Sequence, residues 1–242
     1  MSRSNPTETK RNPALRWFEW SGKNGSLSYY DKENKVKVEV PLPFRFVLLD
    51  ELSTIKGWHD ASDSGISSNE VRNMRLEPLA VRSFKGGDLA NGLYADIKDR
   101  VAAIGGHYVS NLYIGFKVGN NLSICSLQLH GGALSSWFEF RKKVGPDLYK
   151  EAIEIGSFTE GKKGSVVFKI PQWKLMKLSP ETNELAVELD AELQKYLTDY
   201  FAQSKVDSPA PAVIEAAPQS DYEAFENATP AKPAEPADDV PF

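Results

Sequence analysis

The 242 residues include a single cysteine, Cys125, and only three histidines, His59, His107 and His130. One thiol excludes an intramolecular disulfide and a cysteine-rich metal centre. Three scattered histidines leave little from which to build a zinc site or a histidine-based catalytic site, so no metal or other cofactor is expected. No apolar run approaches the roughly 20 residues that a membrane helix needs. Met1–Lys10 is polar and lacks the apolar stretch of a signal peptide. A phosphate-cradling Walker loop, Gly-x-Ser-x-Gly and His-Glu-x-x-His are all missing. Gly86–Gly87 and Gly131–Gly132 are lone pairs that read as turns. Asp60, Asp63 and Glu70 are close in sequence but lack the supporting histidine or lysine pattern of a two-metal nuclease. The expectation is a non-enzymatic, cytoplasmic protein.

What is present is unevenly distributed. Residues 206–242 carry eight acids against one base, a net charge of −7, whereas residues 1–205 carry 28 bases against 25 acids. The same 37-residue stretch holds seven of the 15 prolines and none of the 17 glycines, and its apolar residues follow neither a strand nor a helix period. Such a segment buries too little surface to offset its ordering entropy. The division expected is therefore a flexible N-terminus over 1–14, a folded body over 15–205 and a disordered acidic tail over 206–242. An acidic leash on a mildly basic body points to an anionic partner or a protein-interaction tail.

Within the body, period-2 alternation dominates. Val36, Val38 and Val40 alternate with Lys35, Lys37 and Glu39. Tyr108, Leu112, Ile114, Phe116 and Val118 oppose Asn111, Tyr113 and Lys117, and Val166, Phe168 and Ile170 oppose Val167 and Lys169. These are the marks of antiparallel strands with one buried and one wet face. Glycine-bearing turns fall at 22–25, 119–121 and 161–164. Helices are expected over 96–104 and 133–144. A third follows the Ser179–Pro180–Glu181 start, with Leu185, Leu189, Leu193, Tyr196, Leu197 and Tyr200 in one stripe. In the second half the order strand, strand, helix, strand, strand and terminal helix is the layout of an OB-fold, a five-stranded barrel with a helix after its third strand. The fold expected is mainly β, an OB-fold-like antiparallel barrel with extra N-terminal strands, a C-terminal helix and a long loop near 53–73.

The sequence closes on Asp238–Asp239–Val240–Pro241–Phe242. These residues resemble the C-terminal tip of bacterial single-stranded DNA-binding proteins and the acidic, phenylalanine-terminated tails of their bacteriophage counterparts. Trp17–Asp31, Phe44–Glu51 and Ser68–Asn73 resemble stretches of single-stranded DNA-binding proteins from tailed bacteriophages, though not the shorter bodies of the bacterial proteins. The resemblance implies an OB-fold, binding and protection of single-stranded DNA in replication, recombination and repair, and a host-cell cytoplasmic location. It also implies a tip that recruits a polymerase, helicase or primase. The chemistry suits that role. A ring and a carboxylate on one residue fit an apolar pocket with a basic lip, Pro241 limits the ordering cost, and the two aspartates speed encounter with a basic rim.

Sequence-independent grip on single strands needs cations for phosphates and aromatic faces for bases. The DNA-binding candidates are Trp20, Tyr29, Lys35, Lys37, Arg45, Trp58, Arg82, Tyr113, Lys117 and Lys169. Tyr113 qualifies as an aromatic on a polar face and Trp58 as an aromatic in a polar loop. Arg141–Lys142–Lys143 and Lys162–Lys163 are further basic clusters, and Trp137 and Phe138 read as core. The acidic tail is expected to compete for the cationic groove and to be displaced by DNA. A strand-annealing mediator and a protein-only adaptor are the rival readings.

Overall fold

The structure, a computed structural model, describes residues 11–119 and 121–203. The whole acidic segment and its Asp238–Phe242 tip lie outside the described residues. The described residues are mainly β, with eleven strands and three α-helices. In order they are β1 (Trp17–Ser21), β2 (Ser26–Asp31), β3 (Val36–Val40), β4 (Phe44–His59), β5 (Ser64–Ser68), β6 (Leu79–Ser83), β7 (Gly87–Gly92), α1 (Tyr94–Ala103), β8 (Gly106–Val118), β9 (Asn121–Leu129), α2 (Gly131–Val144), β10 (Ala152–Lys163), β11 (Val166–Met176) and α3 (Pro180–Gln203).

The sheet runs β3-β2-β1-β9-β8-β4-β5-β6-β7, with β10 branching from β4 and pairing with β11. β4, 16 residues long, organises it: Phe44–Val47 pairs with β10, Val47–Gly57 with β8 and its last four residues with β5. β1 adds to β9 in parallel, which makes the sheet mixed. At the end of β1 the Lys169 amide donates to the Gly22 carbonyl at 2.7 Å, so a backbone bond links β11 back to β1.

The alternation read in residues 108–118 is correct as to face but not as to wetness. Leu112 and Ile114 join Phe18, Trp20, Phe44, Leu127, Trp137 and Ile153 in the main core, closed by α2. On the opposite side Tyr113 packs with Val47, Leu49, Leu52, Ile124, Leu193 and Leu197 beneath α3. The strands are sandwiched between two helices, because α3 needs somewhere to bury its apolar stripe. Ser179 caps α3, its hydroxyl accepting from the Thr182 amide at 3.2 Å. Leu185, placed on the stripe by sequence, is exposed, and Ala186 is buried instead.

Two boundaries shift. Residues 53–73 are not a long loop, since β4 continues to His59 and β5 follows. That end of β4 packs with β5, β6, β7 and α1 around a separate core of Ile55, Ile66, Val71, Leu79, Val81, Ile97 and Val101. Folding is engaged before Leu15, with Ala14 buried and Asn12 bonded to Tyr113. Among the described residues no helix is long and apolar enough to cross a membrane.

Candidate functional site

Beyond Ile155, β10 leaves β4 and continues with β11 as a two-stranded arm, turning at Gly164. A register shift between Ile155 and Ser157 starts the arm. It sets Phe158 opposite Pro171, on the same side as the Ile153–Leu175 and Ile155–Trp173 pairs, and the ring stands 39% exposed beyond the end of the β4 pairing. The Lys169 ammonium sits 4.8 Å from the centre of that ring. Lys169 is itself fixed three ways. Its amide donates to Gly22 O, its ammonium donates to Asn24 O at 3.2 Å, and its carbonyl accepts the Trp20 indole N–H at 2.9 Å. Gly25 makes the approach possible: a Cβ there would fall 2.6 Å from Lys169 Cδ and 2.8 Å from the Phe158 ring, at a φ of +69° that favours glycine. Lys23 lies in the same turn, and Lys162 and Lys163 extend the basic surface along the arm. Buried Phe168 anchors the arm on α2, its ring filling the space that a side chain at Gly132 or Gly161 would need.

Where β10 still pairs with β4, Glu154 is buried between two exposed cations. It accepts from Arg45 Nε at 2.5 Å and Lys174 Nζ at 2.8 Å. Lys174 and then Arg45 hold its carboxyl below the usual carboxylate range. The pairs Arg45–Glu154 and Glu154–Lys174 are directly in register across three strands. This row keeps a net positive charge at the surface.

The structure brings Trp20 and Lys169 together, but Trp20 is not a stacking surface, because its ring is buried and only its N–H reaches the arm. Tyr113 is fully buried. Its hydroxyl donates to Glu70 Oε2 at 2.7 Å and accepts from Asn12 Nδ2 at 2.7 Å, so it pairs with buried polar groups and not with solvent. Tyr29 is half-buried, with its ring edge-on to Phe18 at 5.6 Å and covered by the Arg16 guanidinium at 4.4 Å. Its neighbour Tyr30, opposite Lys37, carries the exposure. Trp58 is half-buried at the end of β4 rather than in a loop, and its amide donates to Gly105 O at 3.2 Å. Arg82 is paired with Asp88 at 2.5 Å. Lys35, in the β2–β3 turn at φ 55°, is exposed, as are Lys37, Arg45 and Lys117. Arg141 of the basic cluster pairs with Glu51 at 2.7 Å.

Phe158 is the residue that sequence reading missed. Its signal is an isolated aromatic between Ser157 and Thr159, one step out of phase with Ile153 and Ile155.

Glu70, raised as a possible nuclease carboxylate, is a structural acid. It accepts from Asn111 and Tyr113, and its amide donates to the Tyr200 hydroxyl at 2.8 Å. Burial pushes its pKa up against those hydrogen bonds, and burial lowers that of nearby Lys56. Among the described residues no three His, Cys, Asp or Glu side chains gather to hold a metal ion.

No protein-family model, no curated protein and no solved structure matches the chain.

Proposed function

We propose that the chain binds single-stranded DNA without sequence preference, protects it during replication or recombination, and is not an enzyme. The observation that carries this reading is the half-exposed Phe158 ring with Lys169 over it, on an arm that also bears Lys162 and Lys163. A ring for a base beside cations for its phosphates is the minimal unit of sequence-tolerant binding. The order β4, β8, β9, α2, β10, β11, with β4 pairing both β8 and β10, supports an OB-fold-like body. In this body β1 lies beside β9 and meets β11 at Gly22. The resemblance of Asp238, Asp239, Val240, Pro241 and Phe242 to recruiting tips supports a second role, capture of replication or repair proteins in the host cytoplasm.

Titration with oligo-dT and with duplex, followed by tryptophan fluorescence, tests the reading. Trp20 reports directly, since its indole is bonded to the Lys169 carbonyl. Single strands bind and duplex binds far more weakly. Phe158→Ala lowers oligo-dT affinity by about 1–3 kcal/mol, the usual worth of one base stack, without lowering the melting temperature. Removal of residues 206–242 leaves that affinity intact or improved. Equal binding of single strands and duplex, or an unchanged affinity for Phe158→Ala, would sink the proposal.

A further inference from the structure

The two ends of the sheet are built differently. β7 is flanked by glycines, carries a register shift against β6 and packs against α1, all of which discourage another strand from adding there. β3 has none of these devices. It pairs with β2 alone, and Pro41, which has no N–H to donate, closes its C-terminal end. Its five residues, Val36–Lys37–Val38–Glu39–Val40, read the same in either direction except that Lys and Glu exchange.

We propose that β3 is a self-association edge, pairing antiparallel with β3 of a second copy about a twofold axis through Val38. In that register Lys37 of each copy lies opposite Glu39 of the other, and Val36 lies opposite Val40. The four charges form two opposite-sign pairs directly across the strands. Moving the axis to Lys37 or to Glu39 sets like charges opposite each other. A one-residue slip joins the valine side of one copy to the Lys37 and Glu39 side of the other. The valine side continues the main core, since Val40 and Val38 pair with Leu27 and Tyr29. Val36 is 49% exposed at the end of that side, and Val40 of the second copy covers it. A C2 pairing of this kind is self-complementary, as an isologous contact must be. It concerns the β3 edge and uses none of Phe158, Lys162, Lys163 and Lys169, which carry the nucleic-acid reading.

Sedimentation equilibrium of the full chain tests it by charge reversal. The wild type forms a concentration-dependent dimer. Lys37→Glu sets two Glu–Glu pairs across the axis and Glu39→Lys sets two Lys–Lys pairs, and each weakens the dimer ~10-fold or more. An equimolar mixture of the two variants restores dimer as a heterodimer, and the double reversal Lys37→Glu/Glu39→Lys restores a homodimer. Both positions are exposed, and an unchanged far-UV circular dichroism spectrum shows that each variant still folds. A monomeric wild type, single variants that associate as tightly as the wild type, or a mixture that stays monomeric would overturn the proposal.

Discussion

The Trp20 indole N–H donates to the Lys169 carbonyl oxygen at 2.9 Å, tying a buried ring in β1 to the base of the exposed arm. Trp20→Phe keeps most of the apolar volume and leaves that carbonyl without its side-chain donor. The expected cost is about 1–2 kcal/mol, read as a lower urea midpoint at unchanged slope.

Tyr113 and Phe158 should behave as opposites. Tyr113→Phe leaves Glu70 Oε2 and Asn12 Nδ2 without their hydroxyl partner beneath α3. It should cost about 1–3 kcal/mol of stability and leave oligo-dT affinity unchanged. A loss of binding by folded Tyr113→Phe protein would return that ring to the interface.

Acid should act through two groups with opposite signs. Burial, with His107 nearby, lowers His130 from 6.5 to about 4. The folded state therefore holds fewer protons than the unfolded state between these values, and stability is lost as pH falls through that window. Glu70 is shifted upward by burial from 4.5, so the folded state holds more protons there. Its contribution is present below 4.5 and is lost as pH rises through the folded value. Urea midpoints from pH 7 to pH 4 should fall less steeply for His130→Asn and more steeply for Glu70→Gln than for the wild type.

Cys125 is fully buried on β9, and burial pushes its thiol up to about 11. Thiolate is the reactive form. A disulfide-exchange reagent should leave it unmodified in the folded protein and react in full once urea has unfolded the chain.

Much of the architecture was legible in local patterns. Val36–Val40 and residues 108–118 alternate because one side of each strand continues the main core, and residues 166–170 because Phe168 turns onto α2. The Ser179 start and the glycine turns mark boundaries through backbone chemistry that neighbours alone decide. The strand over 53–59 was hidden because its sequence is polar on one side. Thr54 bonds to Ser68, and Lys56 lies near Glu70, so burial there is met by polar partners and not by apolar residues. The partner of β1 was equally hidden, since a parallel pairing with β9 joins residues about a hundred positions apart.

The sequence by itself marked the three helices, the alternating strands at 36–40, 108–118 and 166–170, and where charge is concentrated. It also placed glycine where the β1–β2 turn meets the arm. Only the tertiary structure decided which polar-looking side is wet. The docking of α3 turned Tyr113, Asn111 and Glu70 into an interior network, while the parting of β10 from β4 after Ile155 left Phe158 at the surface. Exposure is a property of what covers a residue, and the covering element here lies far away along the chain.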